Sequence, residues 1–558
     1  MIRHSLLLLA ALSLVPSLHA APSPHPNVLI IFTDDLDFDE VGAYNPLAYP
    51  TATAQKASSQ SEKSKTAAPP LTPNIDRLIS ESMDFTQMRM ASTVCTPSRY
   101  ALLTGQFCSR SLSLQKKFPT DGPACVEFNT DILPGQWDLP RALHDAGYTT
   151  GIVGKWHLTD TQRSDLVVSP PICDYTGKQN GPQDPSLPEN AQRIRSAYGR
   201  AVKYLHDEMG WDYVSSIYMT NASQLGLPKP LWEHESNMEW FTAGVLKFLD
   251  QQKDTAKPFF LYFAPNIPHG GGGDKFAKVD SRATPEGLVD WHLGVQPTRQ
   301  DVLRRVKEAG ASNPWATWLD DGVGAILKKL ADLGLAENTI VIFSSDQQSR
   351  GKWTCYEGAH VPFTVRWPAH VKAGSRCNAS LSSVDVAPTL LELCDAPLPP
   401  AEQTIVDGLS FAPCLTGGTV PERPVLIEMG FGRAVVSNGW KYVAIRFPED
   451  IAAELEQTGS KFSSLISPLR SGISRGGREA KSFPNFSDID QLYNLKSDPL
   501  ERHNLANDPE SAPKLKEMKL LLTHALAPLP HVFGEFKTTS QKGSPAPIPP
   551  APAVEQNP

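Results

Sequence analysis

The sequence predicts an α/β protein: a mixed, mostly parallel β-sheet sandwiched by helices, followed by a smaller antiparallel α+β unit. Three observations predict it. Two continuous apolar runs, "NVLIIFTDD" (27–35) and "NTIVIFSSDQ" (338–347), each end in acid, the pattern of strands buried on both faces. The second run follows "WLDDGVGAILKKLADLGL" (318–335), whose apolar spacing suits an amphipathic helix, so helix then strand reads as a crossover unit. Beyond about residue 410 the runs shorten, as in "GRAVVSNGWKYVAIRF" (432–447), with Asn438-Gly439 placed for a hairpin turn.

Taken in order, the first twenty residues, "MIRHSLLLLAALSLVPSLHA", have a basic start at Arg3, an apolar run from Leu6 to Val15 and a small Ala20 at a plausible cut. This predicts a signal peptide over 1–20 and a secreted or periplasmic protein. The run is short for a bilayer span, and no later stretch is long and apolar enough to be one. The α/β domain is expected over 21–410, interrupted at 51–70 by a small, polar, flexible insertion. Within it, "PFFLYFAPNIPH" (258–269) reads as a third buried strand running on to His269, and 174–192 and 270–300 read as long loops. The α+β unit is expected over 411–530. The chain then ends in a proline-rich, disordered tail over 531–558.

A hydrophobic content of 40% and a charged content of 20% over 558 residues fit an ordinary globular protein. The net charge of −8 argues against a nucleic-acid binder, yet leaves room for an anionic substrate held by a few local cations. The eight cysteines lack zinc-site spacing; export permits disulfides, whose pairing the sequence leaves open. One of them, Cys95 in "VCTPSRYALLTG" (94–105), sits in what reads as a short polar turn.

Charged groups gather at strand ends. Asp34 and Asp35 follow the first strand, and Asp346 and Gln347 follow a late one. Three carboxylates and an amide oxygen form a hard oxygen set that suits calcium or magnesium. Arg99, Lys155 and His157 in "GKWHL" (154–158), His269, and Lys352 in "GKWTCYEGA" (351–359) supply cations. Such a cluster beside a divalent ion is matched to a tetrahedral oxyanion. Trp232, Trp291 and Trp315 read either as sugar-stacking platforms or as packing aromatics.

"CTPSRYALLTG" (95–105) resembles the Cys-x-Pro-Ser-Arg-x-x-x-Leu-x-Gly signature of the type I sulfatases, of the alkaline-phosphatase-like superfamily. "TPNIDRL" (72–78), "GKWHL", "PFFLYFAPNIPH", "GLAENTIVIFSSD" (334–346), "VPFTVRWP" (361–368) and "LYNLKSDPLERHNLA" (492–506) resemble further landmarks of that family in their usual order. The resemblance implies hydrolysis of sulfate esters of an alcohol, phenol or sugar. It implies that a formylglycine-generating enzyme oxidises Cys95 in the unfolded chain to formylglycine, whose hydrate is the nucleophile. Its second hydroxyl then expels sulfate and restores the aldehyde. By the same resemblance Asp34, Asp35, Asp346 and Gln347 are the ligands of one calcium ion, joined by the Cys95-derived diol. Arg99 holds the modified residue, and Lys155 and Lys352 contact sulfate. His157 takes the proton during sulfate release, and His269 protonates the leaving alcohol.

Three departures stand out. "DDLDFDE" continues with Asp37 and Asp39 where the family commonly has Gly, which leaves open a shifted ligand. Gln347 stands where Asn is common, and "YEGAHVP" carries His360 where an arginine is common. Two other readings share the fold. One is a phosphonate or phosphate ester hydrolase; the other is a non-catalytic binder of sulfate esters with Cys95 unmodified.

Overall fold

The computed structural model describes residues 25–45, 68–160, 163–232, 236–458 and 483–538, apart from positions 254, 270–272, 279, 281, 291–292 and 487. The expected signal peptide, residues 51–67 of the insertion, Trp291 and residues 539–558 lie outside the described residues. So does the side chain of Trp232.

The main sheet has eight strands: β1 (Asn27–Thr33), β2 (Met83–Phe85), β3 (Thr149–Lys155), β4 (Tyr213–Tyr218), β5 (Phe259–Ala264), β6 (Thr339–Ser345), β7 (Phe363–Arg366) and β8 (Ser375–Cys377). Their order is β8-β2-β7-β6-β1-β5-β3-β4. The five from β6 to β4 are parallel, while β7 runs antiparallel to both its neighbours. Every residue of β1, β5 and β6 is buried, as expected of strands covered on both faces. Part of one cover is a helix pair, α1 (Met238–Gln251) and α2 (Pro314–Asp332). Pro314 at its first position and the Asn313 side chain, which accepts from the Ala316 N–H, start α2. The pair packs closely because Gly322 has no side chain; a Cβ there would stand 2.2 Å from Met238 Cε.

The second sheet has four antiparallel strands: β9 (Val425–Met429), β10 (Gly432–Ser437), β11 (Trp440–Ile445) and β12 (Asp490–Asn494). The β10–β11 turn is Asn438-Gly439, at φ of +50° and +77°, as the hairpin reading required. One face of this sheet packs on a helix at Ala512–Leu526, and the other on Trp353 and Tyr356 of the main domain.

The structure corrects two expectations and decides a third that the sequence left open. Residues 531–538 are not a disordered tail: Phe533 and Phe536 are aromatic and are buried against the helix-covered face of the second sheet. A helix spans Pro188–Asp207, so the loop expected over 174–192 stops where Pro188 opens a helical turn. Trp315 is a packing aromatic, buried edge-on against Phe276 at 4.9 Å. Among the described residues, no helix is long and apolar enough to cross a membrane.

Candidate active site

Sheet register builds the site. β1 and β6 pair in parallel as far as Thr33 opposite Ser345, so the next residues, Asp34 and Asp346, leave the sheet side by side. The Asp35 N–H donates to Asp346 Oδ1 at 3.1 Å, joining the two strand ends, and Asp35 itself turns at φ +63°. Lys155 ends β3 on the same edge and donates from Nζ to Asp34 Oδ2 at 2.6 Å. The segment after β5 returns through Pro268, bridged to Asp34, and sets His269 Nε2 3.7 Å from Asp35 Oδ2.

Cys95 is the first residue of a buried helix, Cys95–Thr104, and not part of a polar turn. Pro97 is tolerated because first-turn N–H groups lack helical partners, and Gly105 at φ +63° stops the helix. The Cys95 thiol donates to Asp34 Oδ1 at 3.4 Å. One turn along, Arg99 Nη2 lies 2.8 Å from Asp346 Oδ2 and 3.4 Å from Asp34 Oδ2. Its Nη1 donates to the Tyr262 hydroxyl at 3.2 Å.

The loop after β6 closes the ring. Lys352 Nζ donates to Asp35 Oδ2 at 2.7 Å. Thr93, two residues before Cys95, accepts at its carbonyl from the Trp353 N–H and donates its hydroxyl to the Thr354 carbonyl. Asp37 accepts from the N–H and hydroxyl of Ser349, both at 2.7 Å, and Asp39 pairs with Arg350. Both are thus turned to the 349–350 loop, so the acid run does not shift a carboxylate into the cluster. His360 faces away too, donating from Nε2 to the Thr86 carbonyl and lying against Phe38.

One atom each from Asp34, Asp35, Cys95 and Asp346 falls in a group no wider than 4.8 Å. Gln347 borders it: its Nε2 donates to Asp35 and Cys95, while its buried Oε1 has no hydrogen-bond partner. A half-turn of that amide exchanges oxygen for nitrogen. Three carboxylates with an amide oxygen fit calcium; the soft thiol is the one donor that does not.

Burial and charge set the protonation states. Burial would raise Asp34, but Lys155, His269, Arg99 and Lys352 overcome it and hold its carboxyl well below the ordinary range. Burial and then Asp34 push Asp346 up to about 7, against Arg99. Burial and Asp34 push the Cys95 thiol up to about 12, so it stays protonated. His157, in a left-handed turn at φ +56°, is driven well below its usual value by burial, then by Lys155 and Arg99. Neither of its ring nitrogens has a hydrogen-bond partner, and the Phe128 ring lies 5.1 Å from it. Lys352 and His269 have side chains 14% and 18% exposed, so the mouth of the site lies on the Asp35 side.

Asp34, Asp35, Cys95, Arg99, Lys155, His157, His269, Asp346, Gln347 and Lys352 thus lie in this cluster or border it, whereas Asp37, Asp39, His360 and Trp315 do not. Three contributors were not singled out: Tyr262, Thr93, and Asn221, whose Oδ1 accepts from Lys155 Nζ at 2.7 Å. Asn221 left a faint signal, as a polar residue just past the end of β4.

A sulfatase family model matches residues 26–396. N-acetylgalactosamine-6-sulfatase of Sus scrofa is 28% identical, over 76% of this chain and 72% of that protein. N-acetylgalactosamine-6-O-sulfatase of Bacteroides thetaiotaomicron is 25% identical over 89% and 93%, and arylsulfatase A of Homo sapiens is 27% identical over 89% and 87%. The fold matches a Bacteroides thetaiotaomicron protein solved in a study of glycosaminoglycan metabolism, with a TM-score of 0.53 and 20% identity over 90% of this chain and 99% of that one. It also matches a protein solved with its substrate D-glucosamine-2-N,6-O-disulfate, with a TM-score of 0.52 and 18% identity over 90% and 97%. The chain belongs to the sulfatase family and is a sulfuric ester hydrolase.

Proposed function

We propose that the protein is an exported, calcium-dependent sulfatase that releases inorganic sulfate from a sulfated carbohydrate or aryl sulfate, with Cys95 matured to formylglycine. One observation carries this reading: residue 95 meets three buried carboxylates inside a ring formed by Arg99, Lys155, Lys352 and His269. A thiol held near 12 is a poor nucleophile, and sulfur is a poor donor to a hard ion. When present, calcium supplies divalent charge beside the ester oxygens, and the formylglycine hydrate supplies an oxygen nucleophile.

The remaining roles belong to side chains. Asp34, Asp35, Asp346 and Gln347 hold the ion. Arg99 fixes Asp34 and Asp346 and balances charge that develops at residue 95. Lys155 and Lys352, approaching from the Asp34 and Asp35 sides, bind sulfate oxygens. His157 is neutral at physiological pH and accepts a proton at a ring nitrogen; His269, nearer solvent, donates one to the leaving oxygen. Cys95 has no exposed surface, so the maturating enzyme must act before the chain folds. Relatives named for N-acetylgalactosamine 6-sulfation favour a saccharide substrate.

The test is a peptide mass spectrum from the exported protein, followed by a screen of sulfated saccharides, an aryl sulfate and an aryl phosphate. Aldehyde at residue 95 with sulfate release is expected. Thiol throughout an inactive protein sinks the formylglycine reading, and faster phosphate release assigns the site to phosphate esters.

A further inference from the structure

We propose that Cys377 and Cys414 form a disulfide in the mature protein. Cys377 ends β8, the outermost strand of the main sheet, and Cys414 sits in the short turn Ala412–Leu415 beyond it in the chain. The two side chains are near enough to act on each other electrostatically, and both line the same surface cavity of about 740 Å³. The other cysteines have different company. Cys95 meets Asp34, Cys108 the Pro97 carbonyl, Cys125 Glu127, and Cys394 Tyr148. Cys377 is also the one cysteine that is not buried, so an oxidant can reach it.

The chemistry is thiol–disulfide exchange. The Cys377 thiolate attacks a sulfur of a disulfide-bearing oxidant, which releases one of its own thiols. The Cys414 thiolate then displaces the second. Two protons and two electrons leave the cysteine pair, the new sulfur–sulfur bond forms, and the oxidant departs as a dithiol. Export supplies the compartment in which such oxidants operate. The link would pin an edge strand held only by its pairing to β2, and close the segment 378–413 into a loop.

The full-length protein, exported from its host, is denatured, alkylated without reductant, digested and mapped by mass spectrometry. A peptide pair joined through residues 377 and 414, with neither alkylated, is expected. Full alkylation of both overturns the proposal. Thermal midpoints give a second reading. Cys377→Ser, Cys414→Ser and the double variant should lose the same several degrees, and reductant should bring the wild type down to meet them. Additive losses that ignore reductant overturn it equally.

Discussion

Lys155 and Asp34 meet at the carboxyl edge of the main sheet, 2.6 Å apart, and Lys441 and Glu501 meet on the second sheet, 2.9 Å apart. All four side chains are buried, yet the two pairs respond to burial in opposite ways. At the sheet edge, burial is overridden: Lys155 is raised and Asp34 lowered, so both hold their charges more firmly. On the second sheet burial prevails: Lys441 is lowered and Glu501 raised, so both are pushed toward neutrality. The difference lies in the neighbours. Asp34 faces Lys155, His269, Arg99 and Lys352, whereas Glu501 has Lys441 and a more distant Arg89. The two cations near Glu501 do not offset its desolvation; the four that converge on Asp34 do. A cluster with that many fixed cations, once it also holds a divalent ion, is net positive and prepared for an anion.

The strongest challenge to the comparison is to remove what the cluster serves. Cys95→Ala should lower sulfate release by roughly 10³-fold or more. The protein should remain folded by circular dichroism, because a small side chain fits the first turn of its helix. Turnover near the wild-type rate would remove residue 95 from the chemistry. Next in size is Arg99→Met, which leaves Asp34 and Asp346 facing each other without their shared guanidinium. It should cost about 3–5 kcal/mol in denaturant unfolding and most of the activity. Arg99→Lys should not rescue it, since an ammonium lacks the fork that reaches both carboxylates and Tyr262. A wild-type midpoint in either variant would mean that the convergence contributes nothing.

Much of this cluster was legible in the sequence because strand ends announce themselves. An apolar run that stops at an acid fixes where Asp34 and Asp346 leave the sheet, and parallel register does the rest. The motif around Cys95 was visible, but its helix was not: Pro97 and Ser98 favour a turn locally, and burial of the whole segment decides otherwise. Thr93 and Asn221 were missed for a different reason. Each acts through hydrogen bonds to a segment far away in the chain, which leave no periodic trace. Lys441 and Glu501 were equally invisible, sixty residues apart and brought together only by the second sheet.

Metal removal sharpens the comparison at intermediate scale. Chelation, or Asp346→Ala, should depress the rate by about 10²-fold. Calcium should restore the chelated wild type and raise its thermal midpoint, but should leave that of Asp346→Ala unmoved. A midpoint indifferent to calcium in the wild type would mean that the carboxylates serve only the cations.

The smallest effect is expected at the second sheet. Replacing Lys441 and Glu501 together, by Met and Gln, should leave stability at pH 7 unchanged or raise it by about 1 kcal/mol, because a pair that loses to desolvation is dispensable. The pH dependence carries the sign. Glu501 is raised in the folded state, so between its unfolded value, near 4.5, and its folded one the native protein binds a proton that the unfolded chain lacks. Wild-type stability therefore falls as pH rises through that window. Lys441 is lowered, so stability recovers at alkaline pH as the unfolded chain, still protonated, loses its advantage. The double variant lacks both titrations. Its advantage over wild type, read from urea unfolding, should be greatest near neutrality and shrink toward pH 4; an advantage that grows toward pH 4 would mean that the pair is held by attraction after all.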